Sequence, residues 1–299
     1  MRLARATVCV VNRDGGDGLR QALEALPPEV PAVVVDNASV DGSPDHARLR
    51  SRTQVLENPE NAGFARGCNQ AARHAGGELL VFLNNDARLE APALVALLQA
   101  LDADPTAVAA GPRLVGSDGV AQPGSAGSAP TLGALLHRAR WLRWTGLFRG
   151  AHRRYRHSLP DQGGPVARLG GACLVVRRRA FEVAGGFDEG YPFGLEDVDL
   201  CLRLARQGPL LYVPAAVVEH AGGVSTRRHA SFAYRGFELG FARYARLHLG
   251  RGAGVVYKLA VTLDQPLRVL EAALRALRRP ATARAVLAFL PSLPRLWWA

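Results

Sequence analysis

Short β-branched apolar runs recur along the first third of the chain, and stretches with a different period separate them. The runs at 7–11, 32–36, 54–57, 79–83 and 107–110 predict strands. Between them, 18–26, 43–52, 63–74 and 91–101 place apolar residues at helical spacing. Such alternation predicts βαβ units and a mixed, mostly parallel sheet flanked by helices, an α/β fold. A Gly/Ser/Pro/Ala stretch at 116–130 then breaks the pattern and leads into a basic, tryptophan-containing segment. The whole of 116–165 therefore reads as a loop insertion with the composition of a mobile cover. A strand returns at 173–176, helices at 179–184 and 197–207, and strands near 210–213 and 216–219. Beyond them the pattern is helical, with breaks at 250–254, Pro280 and Pro291. The expected organisation is a catalytic domain over 1–250 and a basic amphipathic helical extension over 251–299.

The polar residues that matter stand where the apolar runs stop. Asn12, Asp36-Asn37 and Asn84-Asn85-Asp86 end the first, second and fourth strands, and open α/β sheets bind ligands at such carboxyl ends. A carboxylate at Asp36 suits a ribose or a base N–H; it equally suits capping of the next helix together with Ser39. Around Asn61, Gly63 and Arg66 a helix starts with the backbone N–H groups and cation that favour phosphate. Asp86 offers a hard divalent cation an oxygen ligand, although strand-end turns carry Asp for local reasons too. Glu196, Asp197 and Asp199 crowd the first turn of a helix, and three acids repel one another more than capping alone would explain. His220 ends a strand before glycines, either as a ligand or as a structural imidazole. The turn Gly170-Gly171-Ala172 lets a sugar approach the backbone closely.

In order, the blocks VVDNASVDGS, NAGFARGCNQA, LNND, GGACLVVRR, GGFDE, LEDVDLCLR and HAGG resemble the family 2 glycosyltransferases, and particularly their rhamnosyltransferase-like bacterial branch. The likeness runs over about residues 6–250. It implies a GT-A type nucleotide-diphospho-sugar transferase fold and inverting transfer of rhamnose or another hexose. The donor would be a nucleotide sugar, and the acceptor a hydroxyl of a glycan or lipid-linked molecule in cell-surface polysaccharide synthesis. By the same resemblance Asn12, Asp36 and Asn61 contact the nucleotide, with Asn37, Gly63, Arg66, Asn85 and Gly171 completing the donor site. Asp86 and His220 would hold Mg²⁺ or Mn²⁺, Asp197 would be the catalytic base, and Glu196 would assist through the acceptor. Asn84 replaces the leading acid of the metal motif, and Phe193-Gly194-Leu195 stands where aromatic residues are common.

Charge adds a possible partner surface and bounds the rival readings. The net charge is +11 and Lys258 is the sole lysine, so the excess is arginine. Seven arginines and no acid lie between His137 and His157, and ten basic residues face two acids from Arg243 onward. Clusters of this kind suit phosphate-rich partners, an anionic membrane surface among them. Leu267, Leu270, Leu274 and Leu277, with Arg268, Arg275, Arg278 and Arg279 as cations, predict a helix that lies on an anionic leaflet or packs on the catalytic domain. No run reaches the ~18 apolar residues of a membrane span, and the short apolar start at 6–11 predicts no export signal. The expected place is the cytoplasm, peripheral on the inner face of the cell membrane. Four scattered cysteines read as buried free thiols. A sugar nucleotidyltransferase would need a basic glycine-rich loop after the first strand, where Asn12-Arg-Asp-Gly-Gly-Asp-Gly18 is short and acidic. A non-catalytic nucleotide-sugar binder would have no use for Glu196, Asp197 and His220 together. No nucleic acid is expected, because strand-end acids repel it.

Overall fold

The computed structural model describes residues 3–157, 159–222, 230–275 and 290–298, and divides into two compact units. Unit one comprises Met1–Gly127, Leu159–Glu189 and Asp197–Ser225; unit two comprises Ser128–Ser158, Gly190–Glu196 and Thr226–Ala299.

Unit one is built on a nine-stranded sheet in the order β3-β2-β1-β4-β10-β6-β11-β5, with β8 also on β11. Its strands are β1 (Ala6–Asn12), β2 (Ala32–Asn37), β3 (Thr53–Asn58), β4 (Leu79–Asn84), β5 (Ala87–Arg88), β6 (Ala109–Val115), β8 (Gly164–Val166), β10 (Cys173–Arg177) and β11 (Leu210–His220). β7 (Ala126–Gly127) and β9 (Arg168–Leu169) pair separately. Strands β1 to β4 run parallel, whereas β10 is inserted antiparallel between β4 and β6. Helices α1 (Gly16–Glu24), α2 (Ser43–Leu49), α3 (Phe64–His74), α4 (Ala91–Ala103), α8 (Arg178–Val183) and α9 (Glu196–Leu204) complete the chain's α/β pattern.

The central strands are apolar without interruption because both sheet faces are covered. Along β1, Ala6, Val8 and Val10 enter one core while Cys9 and Val11 enter the other; along β4, Leu79, Val81 and Leu83 alternate with Leu80 and Phe82. Cys9, Cys68, Cys173 and Cys201 are free and buried, as their sequence context predicts. Burial pushes the thiols of Cys9, Cys173 and Cys201 up to about 12. The two strands expected at 210–219 are one, β11, whose register slips between Val213 and Val217 around Pro214. Proline offers no N–H to the ladder, so a bulge replaces the break that the sequence implies.

Unit two includes much of the segment that reads as a loop. There lie α5 (Leu132–Leu136), α6 (Arg140–Trp144) and α7 (Arg149–His157), then α10 (Ala230–His248), α11 (Arg251–Arg275) and α12 (Leu293–Trp298). Leu136, Ala139 and Leu142 bury against Ala260 of α11, which gives these short helices the core that propensity alone would not supply. The boundary expected at residue 250 falls inside this unit.

Helix α11 is turned with polar residues inward and apolar residues outward. Tyr257, Asp264, Gln265 and Arg268 are buried, whereas Val255, Val256, Leu259, Leu263, Leu270 and Leu274 are 44–74% exposed. The outward residues recur at three- and four-residue steps and so form one stripe. Arg268, read as one of the cations of a helix that lies on an anionic leaflet or packs on the catalytic domain, is 4% exposed and paired with Glu238 and Asp264. Leu277, Arg278, Arg279 and Pro280 lie outside the described residues. Among the described residues no helix is long and apolar enough to cross a membrane.

Candidate functional site

All the elements of this site belong to unit one, except Glu196. At the ends of β1, β2 and β4 the polar residues bind one another. The Asn12 amide donates to Asp36 Oδ1 at 2.8 Å and to Ser43 Oγ at 2.7 Å. Its carbonyl accepts from the Asn85 amide at 2.9 Å. Asp36 also accepts from the Ser39 N–H at 2.8 Å and the Ser39 hydroxyl at 2.6 Å. Asn12, Asp36 and Asn85 are thus buried but satisfied. Gly15 is a condition of this arrangement, since a Cβ there would stand 2.3 Å from Asn12 Oδ1 and 2.6 Å from the Asn85 amide.

Beside this network, at the ends of β2 and β3, opens a cavity of about 260 Å³ lined by Asp36, Ala38, Ser39, Asp45, Arg48 and Glu57. Asn37 donates to the Gly63 carbonyl at 3.2 Å, and Asn61 accepts the Gly63 N–H at 3.0 Å, tying the α3 turn to the same strand end. Arg66 is exposed on α3 and, among the described residues, makes no ion pair. Asp14 and Ala38 hold φ of 49° and 57° in the turns after β1 and β2. Left-handed backbone in non-glycine residues concentrates at functional sites.

Strand β5 is only two residues long, yet it decides where His220 lies. Its pairing sets His220 opposite Ala87, and the Ala221 N–H donates to the Asp86 carbonyl at 3.0 Å. His220 Nε2 then stands 3.3 Å from Asp86 Oδ1 and 3.3 Å from the Asn84 amide nitrogen. Gln122 holds the same histidine twice: its carbonyl oxygen lies 2.9 Å from Nδ1 and its amide donates to the His220 carbonyl at 2.8 Å. A carbonyl beside Nδ1 selects the tautomer with the proton there and leaves the Nε2 lone pair toward Asp86. A carboxylate oxygen and an imidazole lone pair converging in this way are a donor set for a divalent cation, and the hydrogen-bonded Nδ1 is the usual support of such a ligand. Among the described residues no cluster of three His, Cys, Asp or Glu forms. An ion held by two side chains keeps positions open for phosphate oxygens and water, as Mg²⁺ commonly does.

Asp197, at the start of α9, reaches the neighbouring turn. Its Oδ2 accepts the Gly171 N–H at 2.9 Å and its Oδ1 the Val198 N–H at 2.8 Å. A Cβ on Gly171 would come within 2.9 Å of the Asp197 Cβ, so only glycine allows the approach. One residue on, the Ala172 carbonyl accepts the Asn84 N–H at 2.9 Å. Through Gly171, Asp197 is thus tied to the start of β10, whose partner β4 leads into Asp86. Asp199 is buried and bound to Arg203 at 2.9 Å, and Arg203 also donates to the Gly186 carbonyl at 2.6 Å. Its role is to fasten α9. Glu196 is 8% exposed and follows Leu195, whose φ is 71°.

The residues singled out by sequence thus fall into two groups, Asn12–Asp36–Asn85 with Asn37–Gly63–Asn61, and Asp86–His220 with Asp197–Gly171. Gln122 and Ser43 were not foreseen as parts of them, and Ser39 was read only as a helix-capping partner of Asp36. Ser39 and Ser43 lie in the quoted DNASVDGS block, but Gln122 sits in a Gly/Ser/Pro stretch without any signal.

Comparison with known proteins identifies the family. Residues 7–183 match the glycosyl transferase family 2. The N-acetylglucosaminyl-diphospho-decaprenol L-rhamnosyltransferase of Mycobacterium tuberculosis (strain H37Rv) is 32% identical over 217 residues, 67% of this chain and 69% of that protein. The rhamnosyltransferase WbbL of Escherichia coli (strain K12) is 42% identical over 66 residues, 22% of this chain and 25% of its own. Among solved structures, the mannosyltransferase PcManGT of Pyrobaculum calidifontis, in complex with GDP-Man and Mn²⁺, superposes with a TM-score of 0.55 at 20% identity, covering 97% of this chain and 87% of its own. GalNAc-T7 with UDP, GalNAc and Mn²⁺ gives 0.54 at 15% identity, over 81% and 51%. At these identities the structural likeness speaks for the fold, which is of the GT-A type. By its sequence over more than half its length, and by its kinship to the mycobacterial enzyme, the chain belongs to glycosyl transferase family 2 and is a glycosyltransferase.

Proposed function

We propose that the chain transfers rhamnose, or another hexose, from a nucleotide-diphosphate sugar to a hydroxyl of a lipid-linked glycan, inverting the anomeric configuration. The observation that carries this reading is the adjacency of two unlike carboxylates: Asp86 beside the Nε2 of His220, and Asp197 held by two backbone N–H groups. The nucleoside would occupy the cavity lined by Asp36 and Ser39, with Asn12 fixing the Asp36 carboxylate. Asp86 and His220 would hold Mg²⁺ or Mn²⁺, which when bound supplies charge neutralisation to the leaving diphosphate. Asp197 accepts the proton of the acceptor hydroxyl while that oxygen bonds to the anomeric carbon. The bond from that carbon to the diphosphate oxygen breaks on the opposite face, and its electron pair leaves with the nucleoside diphosphate. Hydrogen bonds from the Gly171 and Val198 N–H groups fix the orientation of that carboxylate.

The acceptor class rests on the kinship to the mycobacterial N-acetylglucosaminyl-diphospho-decaprenol L-rhamnosyltransferase and on the surface of unit two. The outward stripe of α11 is accompanied by exposed Trp141, Trp144 and Leu147, and by exposed Arg143, Arg149 and Arg153. Apolar residues, tryptophan and arginine together suit a helix lying in the headgroup region of an anionic leaflet. On this reading the enzyme works peripherally, at the cytoplasmic face of the cell membrane. Replacing Leu259 and Leu263 by Glu should then abolish sedimentation with anionic vesicles, and unchanged sedimentation would refute the surface.

The activity itself is tested by incubating the full chain with a panel of nucleotide sugars and an N-acetylglucosaminyl-diphospho-polyprenol. Release of nucleoside diphosphate and the anomeric configuration of the product are the readouts. Acceptor-dependent release with inverted product is expected; no release with any donor, or retained configuration, would sink the proposal.

A further inference from the structure

Unit two holds a second polar site, unrelated to the residues above. A pocket of about 270 Å³ opens between α5–α7 and helices α10 and α11. Its wall carries His137, Arg138, Arg143 and His152, backed by Glu238 and Arg268. The two imidazoles lie face to face, with centroids 4.7 Å apart and ring planes at 35°. His137 is only 9% exposed, and its Nδ1 is buried without a hydrogen-bond partner. The His152 Nδ1 and the Arg138 Nε are buried and unpartnered as well. Three orphaned nitrogens in one pocket are too many for a packing defect, because buried polar groups are otherwise almost always satisfied.

The charge balance says which occupant fits. Glu238 is consumed by Arg268 at 2.9 Å, Arg138 at 3.1 Å and the Tyr257 hydroxyl at 2.9 Å. Asp264 is consumed by Arg268 and by the backbone N–H of Arg140, and Glu271 by Arg140. The acids facing the pocket are thereby matched, and Arg143 at its mouth is a cation in surplus, with no ion pair among the described residues. A metal ion would be repelled. The volume is below the roughly 300–1,000 Å³ of sites that enclose drug-sized ligands, so a small multivalent anion is the fitting guest.

We infer that this pocket is a binding site for a phosphate or diphosphate oxoanion. Arg143 and Arg138 supply charge-assisted donors, and the unpartnered ring nitrogens of His137 and His152 complete the cradle. Both histidines are held below their usual range: His137 by burial and by Arg143 and Arg149, His152 by burial, His137, Arg156 and Arg138, against a hydrogen bond with the Ala134 backbone. An arriving anion reverses these influences and raises both, so binding takes up protons. The exposed apolar stripe of α11 belongs to the same unit, so the phosphate can be borne on a lipid as well as free in solution. This inference does not depend on sugar transfer in unit one.

The test uses the full chain in metal-free buffer, titrated calorimetrically with inorganic pyrophosphate and with a short-chain prenyl diphosphate. Saturable binding is expected, weakened about tenfold or more by Arg143→Ala and by His137→Gln. Asp86→Ala should leave it intact, since that residue belongs to the other site. Proton NMR should show at least one imidazole titrating at higher pH when pyrophosphate is present. Tighter binding of the prenyl compound identifies a lipid source, and equal binding a free phosphate; either supports the site. Absence of saturable binding, unchanged affinity in the folded Arg143→Ala variant, or loss of binding in Asp86→Ala overturns it. Arg143 is exposed, so its replacement should not endanger folding even if His137→Gln does.

Discussion

The carboxylates at the candidate site of unit one and those buried in unit two are satisfied in opposite ways. In unit one Asp36, Asp86 and Asp197 are met by amides, hydroxyls, backbone N–H groups and an imidazole, and none is paired with an arginine among the described residues. In unit two Glu238 and Asp264 are locked among Arg138, Arg140 and Arg268. Burial alone would push Glu238 up, yet Arg268 and Arg138, with the hydrogen bonds from Arg268 and Tyr257, bring it down to about 2. An acid already matched by a guanidinium has little left to offer a ligand, whereas one held by neutral donors keeps its charge for a cation or a proton. The contrast separates groups that act from groups that hold.

The comparison can be broken by removing one carboxylate at a time. Asp197→Asn should cost ~10²–10⁴-fold in transfer while leaving donor affinity near that of the parent; turnover and donor titration on the same preparation decide it, and a rate within a few-fold of the parent would move the role to Glu196. Glu238→Gln should destabilise the protein by ~3–5 kcal/mol, because Arg268 and Arg138 lose a buried partner; equilibrium denaturation reads this, and an unchanged midpoint would show that the lattice is dispensable. The same lattice sets an acid limit. Since folding depresses the Glu238 pKa from 4.5 to about 2, its contribution is intact above 4.5 and is lost as the pH falls toward 2, which stability curves across that window can follow. At the metal edge, Asp86→Ala should abolish Mn²⁺-dependent binding of nucleoside diphosphate, with His220→Ala weaker in effect. Gln122→Ala should reduce metal affinity by ~10-fold through loss of imidazole orientation; affinity equal to that of the parent would mean that Gln122 orients nothing. The smallest kinetic effect is expected from Asp199→Asn, whose partner is Arg203 and whose loss should appear in melting before it appears in rate.

How far the sequence alone reaches follows from what each residue touches. β1, β2 and β4 are legible because two covered faces make them continuous apolar runs, and their polar ends stand out for the same reason. Asp86 and His220 were visible one by one, but their meeting depends on β5, two residues that no periodicity marks. Gln122 was hidden by its context, a loop in which polar residues are ordinary. Helices α5 to α7 read as loop because each is short and α6 and α7 are basic, and it is packing, of α5 and α6 on α11 and of α7 on α5, that gives them a buried side. The sequence leaves open the direction in which Arg268 faces, because a leucine stripe with arginines beside it suits a leaflet and a packed face alike. Glu238 of α10 and Asp264 of α11 draw the arginine inward, and Leu259, Leu263, Leu270 and Leu274 are left outside.

The bond from the Gly171 N–H to Asp197 has a consequence for how the chain tolerates changes in length. The turn at Gly170 to Ala172 joins β9 to β10, so one inserted or deleted residue would shift the donor by about 3.3 Å along the strand. That exceeds the span over which a 2.9 Å hydrogen bond survives. The tip at 117–119 carries none of Asp36, Asp86 and Asp197, and the bridge from Val115 to Ala121 with the bond from the Gly116 N–H to the Val120 carbonyl closes the hairpin beneath it. Natural and engineered variants should therefore accept insertions there and keep the count between Leu169 and Cys173 unchanged.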